Sequence, residues 1–157
     1  DKVKISSDIS QFSGKFDVVT MFHVLEHVED QISILGRIGN TLRDDGQLIV
    51  EVPNARDFLI KEMKLKCFRD FTFWSEHLVL HTQESLFGIL RKAGFRNIKI
   101  SGYQRYGLAN HLYWLRHQKP GGHEAFKKFS TPTLDQAYGE MLAGRGLTDT
   151  LLAQATP

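Results

Sequence analysis

A short apolar run followed by a polar segment is the most informative pattern in the chain. Residues 17–22, DVVTMF, are mostly β-branched or apolar and predict a strand that is buried on both faces, as in a parallel sheet. The polar segment at residues 23–27 follows, and Glu29 and Asp30 then open a helical pattern, where negative charge favours a helix N-terminus. Because ligands of open α/β sheets bind beyond the carboxyl ends of the strands, we expect residues 23–27 at the rim of a binding crevice.

The pattern after this loop predicts a helix and a second strand. Apolar side chains recur at helical spacing, at Val28, Ile32, Leu35, Ile38 and Leu42. Residues 44–46, DDG, form a turn signal before a strand over residues 47–52. Pro53 ends that strand because proline has no amide proton to donate to a sheet. An alternating tripeptide at residues 3–5 predicts a further strand.

The second half of the chain opens with the clearest helix pattern, over residues 82–94. Thr82 is a candidate N-cap, Glu84 lies in the first turn, and Gly94 suits the left-handed residue that ends many helices. Residues 97–101 then alternate between polar and apolar side chains, which predicts a strand with one buried face.

Two longer stretches have less regular patterns. Residues 55–80 mix aromatic and basic side chains, and predict either a lid or substrate loop over the crevice or a helix and loop that pack on the core. Residues 104–146 predict an aromatic helix, a break at residues 119–122, and a second helix that starts at the Thr-Pro pair of residues 131–132. Residues 148–155 predict a last strand.

Composition narrows the class of protein. The 157 residues fit one domain, and 20 Lys and Arg against 18 Asp and Glu give a net charge of +2. This balance favours neither a nucleic-acid partner nor a membrane surface. Cys67 is the only cysteine, so no disulfide can form within the chain, as expected in a reducing cytoplasm. No apolar run approaches the ~20 residues that span a bilayer, and we expect a cytoplasmic protein.

Several short motifs resemble class I S-adenosylmethionine-dependent methyltransferases. They are FDVV at residues 16–19, LEHV at residues 25–28, LRDDGQL at residues 42–48 and PN at residues 53–54. At this spacing they are similar to the ubiquinone-biosynthesis O-methyltransferase type and its methyltransferase-23-like relatives. The resemblance implies an α/β fold, a Rossmann-like three-layer sandwich with a mostly parallel sheet and an antiparallel last strand beside the previous one.

The resemblance also implies a division of the chain. Residues 1–103 would be core strands and helices, residues 104–146 a substrate-binding cap, and residues 147–157 the last strand. In the family a glycine-rich cofactor loop precedes the third strand, and no such loop stands in this sequence. We therefore expect a methyltransferase domain truncated at its N-terminus, whose 157 residues alone bind S-adenosylmethionine weakly or not at all.

The cofactor implied by the resemblance is S-adenosylmethionine. The backbone around Phe22 would meet its methionine part, and His23 would face the sulfonium or the substrate. Asp8 would meet the adenine edge, although a solvated turn carboxylate is the simpler interpretation. Glu26 and His27 would brace the loop, and no metal is expected.

Glu76 and His77 are the candidate catalytic residues. In related small-molecule and sugar methyltransferases a Glu-His pair precedes the helix that resembles residues 85–95. A histidine can remove a proton near neutral pH, so His77 is the candidate general base. The alternative is a histidine hydrogen-bonded under the loop, and His81 is a weaker candidate.

Arg105, Tyr106, Asn110 and His111 are the candidate substrate-binding residues. Arginine pairs with phosphate or carboxylate, while tyrosine and asparagine hydrogen-bond to hydroxyl groups. This cluster indicates a small, polar acceptor, sugar-linked, phosphorylated or quinone-like. Capping and surface roles are the alternative for each residue.

The resulting function is methyl transfer from S-adenosylmethionine to a small molecule, by a protein that could form a homodimer. A methyltransferase-like domain that no longer catalyses, and serves in binding or assembly, is the alternative. A remote alternative comes from H-x-x-E-H at residues 23–27, which on a helix would place two histidines on one face, as in a class of zinc proteases.

Overall fold

The computed structural model describes residues 6, 8–12, 16–74 and 76–157. The strand predicted at residues 3–5 lies outside the described residues. The described strands are β1 (Phe16–Phe22), β2 (Leu42–Pro53), β3 (Arg96–Tyr103) and β4 (Thr150–Thr156). The described α-helices are α1 (Gln31–Thr41), α2 (Phe58–Lys61), α3 (Lys66–Trp74), α4 (Gln83–Lys92), α5 (Leu108–His117), α6 (Gly122–Ala125) and α7 (Pro132–Ala143). Short 3-10 turns cover Ile9–Gln11, Leu25–His27 and Lys127–Phe129.

The strands form one sheet in the order β1-β2-β4-β3. β1 and β2 are parallel, whereas β4 lies between β2 and β3 and is antiparallel to both. Three strands therefore run in one direction and the last strand runs against them. The predicted sheet, mostly parallel with an inserted antiparallel last strand, is confirmed.

One face of the sheet carries the core. Side chains alternate between faces along a strand, so every second residue of β2 and β4 points to the same side. These inward residues are Leu48, Val50, Val52, Leu151, Ala153 and Ala155, each at most 2% exposed. Helices α1 and α4 contribute their apolar stripes to the same core, through Leu35, Ile38, Leu86 and Leu90. Burial of these side chains is the main stabilising term of the fold.

Helix α4 begins and ends as its sequence predicts. The Thr82 hydroxyl accepts a hydrogen bond from the Ser85 amide (3.2 Å), and the Ser85 hydroxyl accepts one from the Thr82 amide (2.9 Å). This reciprocal capping box satisfies two amides that have no partner within the helix. Gly94 follows the helix with φ of 99°, a conformation that side chains disfavour.

Strand β1 corrects one expectation. Met21 is its only buried residue, while Val18 and Phe22 are 51% and 52% exposed within the described chain. β1 is the edge strand of the described sheet, and only the face of Met21 meets the core. The prediction of a strand buried on both faces is therefore wrong for these residues.

The DDG signal at residues 44–46 produces a bulge rather than a separate turn. β2 already starts at Leu42, which pairs with Phe16, and the register then moves on to Val18 with Gln47. A side chain at Gly46 would lie 2.9 Å from the Phe16 carbonyl oxygen. Glycine therefore allows the close approach of the two backbones at this bulge.

The irregular stretches fold into short helices. Residues 55–80 include α2 and α3, and residues 104–146 include α5 to α7. The predicted start of α7 is confirmed, with the Thr131 hydroxyl accepting from the Leu134 amide (3.3 Å) and Pro132 in the first turn. Among the described residues, no helix has the length and apolar character needed to cross a membrane.

Candidate functional site

A cavity of about 220 Å³ lies at the edge of the sheet where β1, β2 and β3 end. β4 runs the other way, so its first residues reach the same edge. The lining residues at strand ends are His23, Pro53, Asn54, Arg105, Tyr106, Asp149 and Thr150. Helices α3 and α5 and the segment before α6 close the remaining sides. The cavity thus occupies the position where open α/β sheets bind ligands.

The wall formed by α3 and α5 is aromatic. The Trp114 side chain on α5 is 3% exposed, and its ring centroid lies 5.0 Å from that of Phe68 and 5.3 Å from that of Phe71, both on α3. The two helices therefore pack through aromatic rings directly over the strand ends. This arrangement supplies a flat apolar surface and excludes water from part of the cavity.

Asn54 fixes the end of β2 at the cavity. Its side chain is buried, and its amide nitrogen donates to the Thr148 carbonyl (2.8 Å) while its oxygen accepts from the Arg56 amide (2.9 Å). These bonds attach the end of β2 to the start of β4 and turn the chain toward α2. The PN motif of the sequence therefore shapes the cavity edge through backbone contacts.

A charged cluster lies at the opening beside β1. His23 follows the strand with φ of 53°, and its Nδ1 lies 3.2 Å from Glu26 Oε1. Its Nε2 lies 3.0 Å from Glu51 Oε1 and contacts the Arg105 guanidinium, which is 3.5 Å from the same carboxylate oxygen. Because a carboxylate only accepts hydrogen bonds, each ring nitrogen of His23 donates to the carboxylate that it faces when it carries the proton.

His77 joins this cluster from the segment after α3. Its Nε2 lies 3.9 Å from Glu26 Oε1, and its ring centroid is 4.8 Å from that of His27. Burial lowers the pKa of His77, and the nearby Glu26 carboxylate partly offsets that shift. His77 thus tends to be neutral at the cavity wall, in the form that can accept a proton.

A buried polar group forms the floor. His111 is 2% exposed, its Nδ1 lies 2.8 Å from the Tyr138 hydroxyl, and its ring stacks on Phe58. Burial lowers the pKa of His111 to about 4 and raises the pKa of Tyr138 to about 12. Asp57 is 3% exposed, and burial with the nearby Asp149 raises its pKa to about 7.

Asp149 positions the segment that carries the predicted substrate residues. Its carboxylate accepts hydrogen bonds from the backbone amides of Arg105 and Tyr106 (both 3.0 Å) and from the Gln104 side chain (3.0 Å). Burial raises the pKa of Asp149, although the bonded amides lower it. The carboxylate therefore holds the chain after β3 against the start of β4.

Six of the predicted site residues line this one cavity. They are His23, His77, Arg105, Tyr106, Asn110 and His111. Glu76, Phe22 and Asp8 do not line it. Glu76 is exposed and offers its backbone carbonyl to His27 Nδ1 (3.1 Å), and Asp8 forms an ion pair with Arg37 (2.6 Å). The roles assigned to all nine residues stay predictions.

Sequence reasoning missed several residues of the cavity. Asp57 and Asp149 were not singled out, nor was the contact of Trp114 with Phe68 and Phe71. Asp57 has a signal, because it precedes the apolar FLI run of α2 and accepts from the Leu59 amide as its N-cap (2.6 Å). No local pattern marks Asp149, since the backbone amides that it holds, those of Arg105 and Tyr106, lie more than 40 residues away.

The H-x-x-E-H alternative fails on its backbone requirement. A zinc protease of that class needs residues 23–27 on one helix. His23 instead ends a strand with a positive φ, and Leu25–His27 forms a single 3-10 turn. The protease alternative is therefore wrong.

Comparison with known proteins identifies the family. The family model described as a methyltransferase domain matches residues 2–100, more than half of the chain. The chain belongs to this methyltransferase family. Its ubiquinone-biosynthesis subtype stays a prediction. No curated protein sequence matches the methyltransferase chain.

Solved structures share the fold of this methyltransferase chain. One is an S-adenosylmethionine-dependent methyltransferase from Thermotoga maritima, named as a possible histamine N-methyltransferase, with 18% identity, a TM-score of 0.57, and 97% of this chain and 62% of that one covered. Another is such a methyltransferase from Archaeoglobus fulgidus, with 18% identity, a TM-score of 0.58, and 98% and 66% covered.

The methyltransferase chain spans less than two thirds of the length of either structure. Both structures carry in their names the cofactor that the resemblance implies, S-adenosylmethionine. They support the Rossmann-like fold. The homodimer, the cytoplasmic location and the division of the chain at residues 103 and 146 stay predictions.

Proposed function

We propose that the protein transfers a methyl group from S-adenosylmethionine to a small, polar acceptor. The main support for this proposal is the cavity at the strand ends, which has an aromatic wall and is also lined by the polar side chains of His77, Arg105 and His111. S-adenosylmethionine supplies an activated methyl group when bound. The chain must then orient the acceptor, exclude water and help to remove its proton.

The residues at the end of β1 fit the cofactor side of this reaction. Phe22 is the last residue of β1 and is 52% exposed, so a flat apolar side chain is accessible next to His23 in the sequence. The His23 amide donates to the Glu51 carbonyl (3.0 Å), which fixes the turn after the strand. Phe22 and His23 would therefore hold the methionine part at the boundary between cofactor and acceptor.

The acceptor side would be formed by the segment after β3 and by α5. Arg105 and Tyr106 are held by Asp149, and Asn110 and His111 project from α5 into the same cavity. These groups can hydrogen-bond to hydroxyl, phosphate or carboxylate groups of an acceptor, while Trp114 covers its apolar part. The mixture supports a polar molecule of modest size.

His77 is the residue proposed to activate the acceptor. It reaches the cavity wall next to Glu26, a carboxylate that stabilises positive charge on its ring. Burial lowers the pKa of His77, which favours the neutral ring before the reaction. A nucleophilic oxygen or nitrogen in the cavity would then have a proton acceptor beside it.

Calorimetric titration of the whole protein with S-adenosylhomocysteine tests the cofactor assignment. We expect saturable binding at a single site, followed by transfer of label from S-adenosylmethionine carrying a tritiated methyl group to members of a panel of small phenols, sugars and amines. Absence of S-adenosylhomocysteine binding would overturn the proposal. Binding without transfer to any panel member would favour the non-catalytic binding domain instead.

A further inference from the structure

Glu26 is an unusual residue for a buried position. Its side chain is fully buried, and its Oε2 atom has no hydrogen-bond partner within the described chain. A buried carboxylate oxygen without a partner costs free energy, so such atoms usually mark a bound ion, a water or a functional site. The contact of His23 Nδ1 with the other oxygen (3.2 Å) leaves this cost in place.

Two histidines lie beside this carboxylate. Glu26, His27 and His77 each offer one ligand atom, and these atoms all lie within 4.8 Å of one another. His27 donates its Nδ1 proton to the Glu76 carbonyl, which leaves Nε2 as a free lone pair. A histidine oriented by a backbone carbonyl in this way is the usual form of a metal ligand.

From this geometry we infer that Glu26, His27 and His77 form a binding site for one divalent first-row transition metal ion. Two imidazoles and one carboxylate are a donor set that binds zinc and related ions, commonly with a further position left open. Ligand atoms around one zinc ion stand about 3.4 Å apart, from bonds of about 2.1 Å in a tetrahedron. The ligand atoms therefore need to approach one another by up to about 1.4 Å around the ion.

The site adjoins the cavity through His77, which lines it. An open position of the ion would thus face the acceptor, and an ion there would bind an acceptor oxygen. With the ion bound, the ion would take the lone pair of His77 and would itself activate the acceptor in place of proton removal by that ring. This role rests on the proposed function, whereas the binding of the ion does not. The site also gives a role to the backbone of Glu76. Its carbonyl orients the His27 ring, and its φ of 65° places that carbonyl beside His27 Nδ1.

Metal binding by the purified whole protein tests the inference. After treatment with a chelator and its removal, titration with zinc chloride and, separately, manganese chloride is followed by calorimetry, and bound metal is counted by mass spectrometry. We expect about one bound ion per chain, and we expect its binding to require Glu26, His27 and His77. His27→Ala and Glu26→Gln should each weaken binding by at least ~10-fold.

The matched control is His117→Ala, which removes an exposed histidine of α5 far from the cluster in sequence. It should leave metal binding unchanged. The inference is overturned if no ion binds, or if His27→Ala binds metal as well as the unaltered protein. Because His27 is exposed, His27→Ala should fold normally, which circular dichroism checks.

The outcome is separable from that of the proposed function. Binding of S-adenosylhomocysteine without any metal would leave the methyltransferase proposal standing, with His77 acting as the general base. Metal binding without binding of S-adenosylhomocysteine would keep the ion site and overturn the proposed function.

Discussion

His77 and His111 show how the surroundings of a residue set its chemistry. Both are histidines in the same cavity, yet one lies beside a carboxylate near the opening and the other beneath stacked aromatic rings. His77 lies beside the charged Glu26 carboxylate. Burial keeps His111 neutral down to about pH 4. The first is suited to activating an acceptor and the second to holding one.

Replacing His77 should separate its role in turnover from folding. In the whole protein we expect His77→Ala to lower kcat about 10²-fold or more, because acid–base groups contribute that much, with S-adenosylhomocysteine affinity and melting temperature nearly unchanged. Steady-state kinetics on an identified acceptor measure the effect. His117→Ala is the control, and unchanged turnover in His77→Ala would remove this residue from the reaction.

His111 should make the folded protein sensitive to acid. Its folded pKa is about 4 while the ordinary value is 6.5, so the unfolded chain takes up a proton in this range and the folded chain does not. Stability linked to His111 is therefore complete above pH 6.5 and is lost as pH falls toward 4, by up to about 3 kcal/mol.

Urea unfolding of the wild type and His111→Gln at pH 7 and pH 4.5 measures this linkage. The wild type should lose more free energy of unfolding than the variant over that interval. Asp57 has the opposite effect on stability, because its raised pKa stabilises the folded state as pH falls. Since Asp57 is present in both proteins, its effect cancels when the two losses are compared. An equal loss in wild type and variant would contradict the assignment.

At the scale of single elements, local sequence governs where helices start. The Thr82–Ser85 capping box precedes α4, and His81, which is buried, contacts the Ser85 hydroxyl (3.2 Å) just ahead of the helix. The same residues that start the helix therefore also fix the chain between the cavity and the core. A weaker N-cap should therefore lower the free energy of unfolding.

Thr82→Ala should lower the free energy of unfolding by about 1 kcal/mol, because one helical amide loses its acceptor. Thr82→Ser keeps the hydroxyl and is the matched control, with a smaller loss. Urea unfolding at pH 7 measures both. A loss in the alanine variant no larger than in the serine variant would mean that the cap contributes nothing.

At the scale of the whole molecule, the cavity exists only because distant segments meet at one edge of the sheet. Arg105 reaches His23 and Glu51 across the opening, while Asp149 holds its backbone. The residue at the end of β1 that is proposed to hold the cofactor and the residues after β3 that are proposed to hold the acceptor thus meet at one opening. This separation should appear in kinetics.

Arg105→Ala should raise KM for the acceptor by about 10-fold, the effect of losing one charged hydrogen bond of ~1.5–3 kcal/mol. Affinity for S-adenosylhomocysteine should hardly change. Arg116→Ala, on the exposed side of α5, is the control. Intact acceptor kinetics together with a lower melting temperature would instead make the residue structural.

Much of the fold could be predicted because its signals are local. The N-caps Thr82 and Thr131, the stop at Gly94 and the alternation of residues 97–101 each act within a few residues, and each element formed where its pattern indicated. The family resemblance also rests on short motifs, which is why it could be recognised before any contact was known.

Tertiary structure decided what these signals could not. Whether β1 is buried depends on its neighbours, so Val18 is exposed although its run is apolar. Asp149 and Glu26 draw their importance from partners far along the chain, the backbone of Arg105 and the ring of His77.

The sequence by itself determined the elements and the family, because helix caps and strand alternation are short-range. The cavity, its pKa shifts and the candidate metal site arose only when the sheet brought distant strand ends together, because burial and electrostatic contact are properties of the folded chain.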